Sequence, residues 1–498
     1  LENQMDPLGG ACHDSLHGQL YARLREAILS GALRPGQRLS SSRALAAQEG
    51  LARNTVLSAY SRLEAEGYVK AFRGSGHYVS PLLPAAAATG GARPVQAREP
   101  GSGPVSGLTG LPVREPRHDF GFVPTSLRQA IPSVPFRVNY PALDQFPLDT
   151  WLRLQARLVR EAASAGAQGS LLGETEAQGE AELRQAIAEH VAIARGVQCR
   201  AEDIVITAGA QHALDLLLRV LTAPGDRIGL EDPCYPGALS AARASGLQVV
   251  ALAVDDQGAS LPPDGRSVAD SPSVLIVCPS RQFPMGVTMS LPRRLSLIDW
   301  ARRHSAWVIE DDYDSEYRFE GRPIPSLQGL DGGQHVIYVG TYSKVLFPSL
   351  RVGFIVAPRS LLGPLVAARA VAGRHGSALE QRVLARFIAD GHLARHVRRM
   401  RALYQDRQSA LLEACQRRLG QAVSVAAAES GLQTLAWLDP ALDDQRIAAR
   451  AREQGIELAP LSRFRLNACH PPALLLGFGG FAPEALRRGV DVLSKLLR

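Results

Sequence analysis

Val336-Ile337-Tyr338-Val339-Gly340-Thr341-Tyr342-Ser343-Lys344 is an apolar run that ends on hydroxyls and a primary amine, with Arg351-Val352-Gly353-Phe354 close behind it. Only three of the 55 basic residues in this 498-residue chain are lysine, and Lys344 stands alone between Lys70 and Lys495. A chain that otherwise takes arginine for positive charge has kept an amine at one interior position. A lysine at a strand end, with hydroxyls and an arginine beside it, is placed to form a Schiff base with a phosphate-bearing aldehyde. An isolated Ser-Lys pair is more often an ordinary surface lysine, so the reading depends on what surrounds it.

Upstream, Trp307-Val308-Ile309-Glu310-Asp311-Asp312-Tyr313-Asp314-Ser315-Glu316-Tyr317 reads as a short buried strand closing on carboxylates and a tyrosine. Parallel strands deliver such C-terminal ends to a ligand crevice. In pyridoxal phosphate chemistry the cofactor is the electron sink and a carboxylate keeps its ring nitrogen protonated; Asp311 suits that role, and Tyr313 a hydrogen bond to the ring hydroxyl. A metal site would want histidine or further carboxylates at suitable spacing, so no metal is expected. Earlier, Asp203 to Leu217 (DIVITAGAQHALDLL) is a strand, a glycine turn and an apolar-periodic helix. The free N–H groups and dipole of that helix start favour a phosphate. Tyr235, in Glu231-Asp232-Pro233-Cys234-Tyr235-Pro236-Gly237, follows the next strand and offers either an aromatic face for stacking or an ordinary core tyrosine.

Together these segments resemble fold type I pyridoxal phosphate enzymes of the aspartate aminotransferase superfamily, in the version found in MocR/GabR-type transcription regulators. The resemblance implies Lys344 as the Schiff-base lysine, Asp311 for the pyridine nitrogen, Tyr313 for the ring hydroxyl and Tyr235 for stacking. It implies phosphate contacts from Gly209, Ala210, Gln211, Thr341, Ser343 and Arg351. Pro279-Ser280-Arg281-Gln282-Phe283-Pro284-Met285-Gly286 resembles the turn that lines the cofactor, with Arg281 where the family usually has histidine; that arginine is expected to add charge to an effector pocket. Two further departures stand out. Where such aminotransferases commonly place a carboxylate-binding arginine, this chain has Ala473-Leu474-Leu475-Leu476-Gly477-Phe478, leaving Arg281, Arg318, Arg463 and Arg465 as candidates. Near Leu172-Gly173 and at Glu180 it lacks the tyrosine that a partner subunit often lends to the phosphate.

The first 80 residues carry their own pattern. Leu16 to Ile28 has apolar residues at helical spacing, Ser41-Ser42 opens a second helix, and Ala52-Arg53-Asn54-Thr55-Val56 opens a third. Tyr68 to Val79 alternates around Gly74, as a two-stranded wing does. This module resembles the GntR-type winged helix, which implies double-stranded operator DNA as a partner and contacts from Arg43, Arg53, Asn54, Thr55, Arg73 and Gly74. Ser40 stands where that family usually has proline. Nine Lys/Arg against seven Asp/Glu in residues 1–80 mean that binding rests on placement rather than bulk charge.

From 81 to 118 the composition shifts to Pro, Ala, Gly and Ser, which reads as a flexible linker with a span of roughly 30 to 35 Å. The expected architecture is an N-terminal winged helix-turn-helix (α+β) over 1–80, the linker, and over 119–498 a large α/β aminotransferase-like domain with a mostly parallel central sheet. That domain is expected to bind pyridoxal 5'-phosphate and an effector, and to form a homodimer. No run of eighteen apolar residues and no secretory leader pattern is present, so a membrane role is not expected and the cytoplasm is. Six scattered cysteines without a Cys-x-x-Cys pair fit reduced thiols. Two functions compete: a regulator that senses an amino acid, an amine or the cofactor itself through Lys344, and an active aminotransferase carrying a DNA-binding head. The fused head and the missing carboxylate arginine favour sensing.

Overall fold

The computed structural model describes residues 16–72, 75–81, 134–261, 271–319, 325–420, 423–467 and 470–497. They fall into two units, one within 16–81 and one within 134–497. Nearly all of the expected linker, and the start of the expected 119–498 domain, lie outside the described residues.

In the first unit, α1 (Leu16–Leu29) buries Leu20, Tyr21 and Ile28 in a core with Val56, Ala59, Tyr60 and Leu63 of α3 (Arg53–Ala65). Between them, α2 (Ser42–Glu49) begins where Ser41 Oγ accepts the Ala44 N–H at 3.1 Å, satisfying one of the donors that a helix start leaves open. β1 (Val69–Phe72) and β2 (Gly76–Val79) pair antiparallel from Val69↔Val79 to Phe72↔Gly76, forming the expected wing. Helix-turn-helix and wing thus stand within a residue or two of where the sequence put them.

In the second unit, β3 (Ile204–Thr207), β4 (Arg227–Asp232), β5 (Gln248–Asp255), β6 (Gly258–Ala259), β7 (Val274–Val277), β8 (Trp307–Asp312), β9 (Val336–Thr341) and β10 (Gly353–Val356) form one sheet in the order β3-β10-β9-β8-β7-β4-β5-β6. β9, β8, β7, β4 and β5 run parallel, and β10 alone among the longer strands is reversed, so that β3 points the same way as β9. Helices cover both faces, which is why these strands read as continuous apolar runs rather than alternating ones. Val205, Ile309, Ile337 and Val339 meet helices Ala210–Leu221 and Pro236–Ala244 on one face, while Val308, Val336 and Leu275 meet helix Leu291–Arg303 on the other. A second, antiparallel sheet of β11 (Val423–Val425), β12 (Gln433–Leu438), β13 (Ala459–Pro460) and β14 (Ala473–Gly477) has the order β11-β12-β14-β13.

Side chains on β8 alternate between faces, which separates its carboxylates. Glu310 accepts the N–H groups of Leu327 and Gln328 at 3.1 and 3.0 Å. Asp312 is paired with Arg195 at 2.8 Å and accepts the Tyr338 hydroxyl at 2.8 Å, pinning the end of helix Ala181–Arg195 to the end of β8. Asp311 lies on the opposite face, with Ile309. The Arg195 and Asp312 side chains are only 7% and 2% exposed, so removing one partner strands a buried charge. Arg195→Met is therefore expected to cost about 3 to 5 kcal/mol in denaturant unfolding, with part recovered in the double variant with Asp312→Asn. A loss under about 1 kcal/mol would place this pair with ordinary surface bridges.

Candidate cofactor site

The register Thr207↔Gly353↔Thr341, with Asp312↔Gly340 alongside, puts the C-terminal ends of β3, β8 and β9 at one edge of the sheet together with the start of β10. Lys344 lies three residues beyond β9, half-buried, and its Nζ donates to the Asn139 carbonyl at 3.3 Å. Burial, then the neighbouring Arg137 and Arg351, push its amine down to about 8, against the pull of Asp314. Asp311 is buried and its Oδ1 has no hydrogen-bond partner among the described residues. Burial, then Asp312 and Asp314, push that carboxyl up to about 7.

Tyr235 is the residue before helix Pro236–Ala244, and burial, then Asp311, raise its hydroxyl to about 12. Its ring stands edge-on to Phe283, which meets Tyr313 and Phe464 in the same way. Tyr313 is buried beside Arg281, whose Nη1 donates to the phenol oxygen at 3.4 Å. Burial carries the Tyr313 hydroxyl well above its ordinary range, so it is a donor at neutral pH.

Gly209 precedes helix Ala210–Leu221 at φ +93°, and no side chain caps that helix, which leaves the first-turn N–H groups, at Ala210 and Gln211, for an anion. Arg351, itself at φ +50°, folds over this turn and donates Nη2 to the Ala208 carbonyl at 2.6 Å. A Cβ on Gly209 would stand 3.2 Å from that guanidinium, and one on Gly353 would stand 2.8 Å from the Gly209 backbone, so both glycines allow the close approach. Thr341 Oγ1 accepts the Ser343 N–H at 3.2 Å, while Ser343 Oγ and Gln211 Oε1 are buried without partners among the described residues.

These features fit a pyridine ring carrying a phosphate. The open oxygen of Asp311 would be met by a protonated ring nitrogen, each charge offsetting the other's desolvation. The uncapped helix start, the Ser343 hydroxyl and Arg351 supply donors to a phosphate.

Comparison with known proteins agrees with both units. The family model for aminotransferase class I and II matches residues 136–491, and that for bacterial regulatory proteins of the gntR family matches 16–79. The chain is 38% identical to the probable rhizopine catabolism regulatory protein MocR of Rhizobium meliloti, over 96% of this chain and 93% of that protein. The chain belongs to the MocR-type regulators of the GntR family. Another member of this MocR-type group, the pyridoxine biosynthesis transcriptional regulator PdxR of Corynebacterium glutamicum, is 31% identical over 95% of this chain and 94% of its own. Among solved structures, the large unit is similar to LysN, the α-aminoadipate aminotransferase of Thermus thermophilus, solved with N-(5'-phosphopyridoxyl)-L-leucine. The TM-score is 0.65 and the identity 30%, over 73% of this chain and 91% of that one.

In the GntR-type unit, Arg43, Arg53 and Asn54 are exposed and Thr55 half-exposed, the last three at the start of α3, which no side chain caps. Arg53 Nε also reaches Ser42 Oγ at 3.4 Å. Arg73 and Gly74 lie outside the described residues.

One expectation needs correction. Arg281 does not offer a free charge to an effector: it is 3% exposed, paired with Asp314 at 3.0 Å and donates to the Gln433 carbonyl at 2.6 Å. Arg318 is likewise paired, with Glu429 at 3.0 Å. Arg463 is half-buried and Arg465 donates to the Pro471 carbonyl at 2.7 Å. The stretch that lacks the carboxylate arginine forms β14, whose five residues are all buried. Sequence reading gave no role to Asn139, Asp314 or Gln433. A lone amide in the apolar run Leu432 to Leu438 was the available signal for Gln433; Asn139 had none.

The depressed Lys344 amine has a consequence for stability. The folded chain sheds this proton near pH 8, whereas an unfolded lysine keeps it to about 10.4, so the Lys344 contribution rises as pH climbs through that window. In the cofactor-free chain, Lys344→Met is expected to melt above the parent below pH 8, with the difference fading toward about pH 10. A difference that stays constant with pH would show that Lys344 titrates normally.

Proposed function

We propose that this chain is a transcription regulator that binds double-stranded operator DNA through its N-terminal unit, holds pyridoxal 5'-phosphate in its large unit, and senses an amino-bearing effector, or the cofactor itself, at Lys344. The observation that carries the reading is a pairing: an amine pushed down to about 8 and a buried carboxyl with an open oxygen, at neighbouring strand ends of a chain with a GntR-type head. The phosphopyridoxyl ligand in LysN and the regulatory names of MocR and PdxR support it.

Pyridoxal phosphate supplies an aldehyde that exchanges one amine for another. In this reading Asp311 holds a proton at the ring nitrogen, Tyr313 donates to the ring hydroxyl and Tyr235 covers one face. The N–H groups at Gly209, Ala210 and Gln211, the hydroxyls of Thr341 and Ser343, and the Arg351 guanidinium hold the phosphate. Lys344 would offer its amine to that aldehyde; its Nζ lies by the Asn139 carbonyl, where it would be able to move a proton. The chain works in the cytoplasm as a homodimer on two operator half-sites, read by Arg43, Arg53, Asn54, Thr55, Arg73 and Gly74.

The intact set of Lys344, Asp311 and Tyr313 also favours a second reading, an active aminotransferase with a DNA-binding head. Visible spectra of the cofactor-loaded chain, taken while amino acids and amines are added one at a time, separate the two. A persistent spectral shift without keto product is expected for a sensor; turnover on a keto acid would establish the enzyme. Lys344→Ala should lose the parent's visible band. Arg53→Ala should weaken specific operator binding by about 1 to 3 kcal/mol in a gel-shift titration while cofactor loading is retained. Joint loss of both would contradict two independent units.

A further inference from the structure

We infer that Arg281 is a positioning residue of the cofactor site: its guanidinium fixes the Tyr313 hydroxyl, and its charge sets the acidity of the group that Tyr313 holds. The inference rests on the cofactor reading above. Arg281 Nη1 lies 3.0 Å from Asp314 Oδ2 and 3.4 Å from the Tyr313 hydroxyl, and Nη2 lies 2.6 Å from the Gln433 carbonyl. One planar fork therefore spans from the segment after β8 to the first residue of β12, a reach and geometry that a lysine does not reproduce. The surrounding backbone makes room for it: a Cβ on Gly431, at φ +83°, would stand 2.5 Å from Arg281 Cζ and 2.5 Å from Asp314 Oδ2.

A buried ion pair is a weak source of stability, because desolvation consumes most of its attraction. Here Asp314 Oδ1 is left without a partner among the described residues, so the pair is not a fully satisfied structural bridge. Its orientation gives it an electrostatic effect on the site. An N–H directed at the phenol oxygen polarises that hydroxyl into a better donor, and the Arg281 charge offsets the Asp314 carboxylate beside it, which otherwise opposes ionisation of an acidic neighbour. The ring hydroxyl of the cofactor should stay ionised to lower pH than it would beside a histidine, the residue usual here in chains of this resemblance, which is largely neutral above about pH 7.

The experiment follows the pH midpoint of the visible absorption of the cofactor-loaded full chain. Arg281→His and Arg281→Gln are expected to raise the midpoint by on the order of one unit, and Arg281→Lys, which keeps the charge but loses the fork, to raise it by less. Arg281→Gln leaves Asp314 buried and unpaired; if that variant fails to fold, the double variant Arg281→Gln/Asp314→Asn removes both charges and should show a smaller rise. Folded variants that load cofactor with an unmoved midpoint, in Arg281→His and in the double variant alike, would overturn the role of Arg281. A parent chain without any visible band would instead overturn the cofactor reading beneath it.

Discussion

At the end of β8, Glu310, Asp311, Asp312 and Asp314 are buried within five residues of one another, where a carboxylate without a partner is costly. Three of the four acquire partners, each a different one. Glu310 takes the N–H groups of Leu327 and Gln328, Asp312 takes Arg195 and the Tyr338 hydroxyl, and Asp314 takes Arg281. The demand for these partners draws a helix end, the turn before Gly286 and the neighbouring strand to the same place. Asp311, turned to the other face by the strand's alternation, takes none of these partners, and its Oδ1 is open among the described residues. What distinguishes it from its neighbours is geometry and not residue type.

The sequence was most legible where function and local pattern coincide. A lysine after an apolar run, a strand closing on acids, and a glycine before a periodic helix are all local features, and each marks a strand end of a parallel sheet. The three helices and the wing of the first unit follow from apolar spacing and the Ser41 cap for the same reason. Less legible were roles set by long-range contact. Arg281 reads as a free cation until the fold brings Asp314 and Gln433 to it from 33 and 152 positions away. Asn139 has no distinguishing neighbours in the chain, yet it accepts from Lys344, 205 positions on. Buried polar partners of this kind are decided by tertiary packing, which single-residue pattern cannot encode.

The two sheets of the large unit are connected by polar contacts as well as by apolar packing. Lys344 Nζ donates to the Asn139 carbonyl, the Asn139 N–H donates to Gln433 Oε1 at 2.9 Å, and the Gln433 carbonyl accepts from Arg281, which touches Tyr313. The amine and the phenol assigned to adjacent groups of one ligand, its aldehyde and its ring hydroxyl, are thus joined through the first residue of β12. Any rearrangement that takes Lys344 from Asn139 breaks the first link of this chain of contacts. Contiguity alone does not measure coupling, but it defines which four side chains a double-mutant analysis would pair.

The scarcity of lysine has a use beyond chemistry at the site. Lys70 is exposed on the wing strand β1, Lys495 is exposed on the last helix, and Lys344 is half-buried between them in sequence. Amine-directed dyes and cross-linkers therefore have three lysine addresses, one in the GntR-type unit, one in the crevice and one on the last helix of the large unit. Donor and acceptor fluorophores can thus be placed sparsely on native side chains, and the address in the crevice would be masked whenever its amine is engaged.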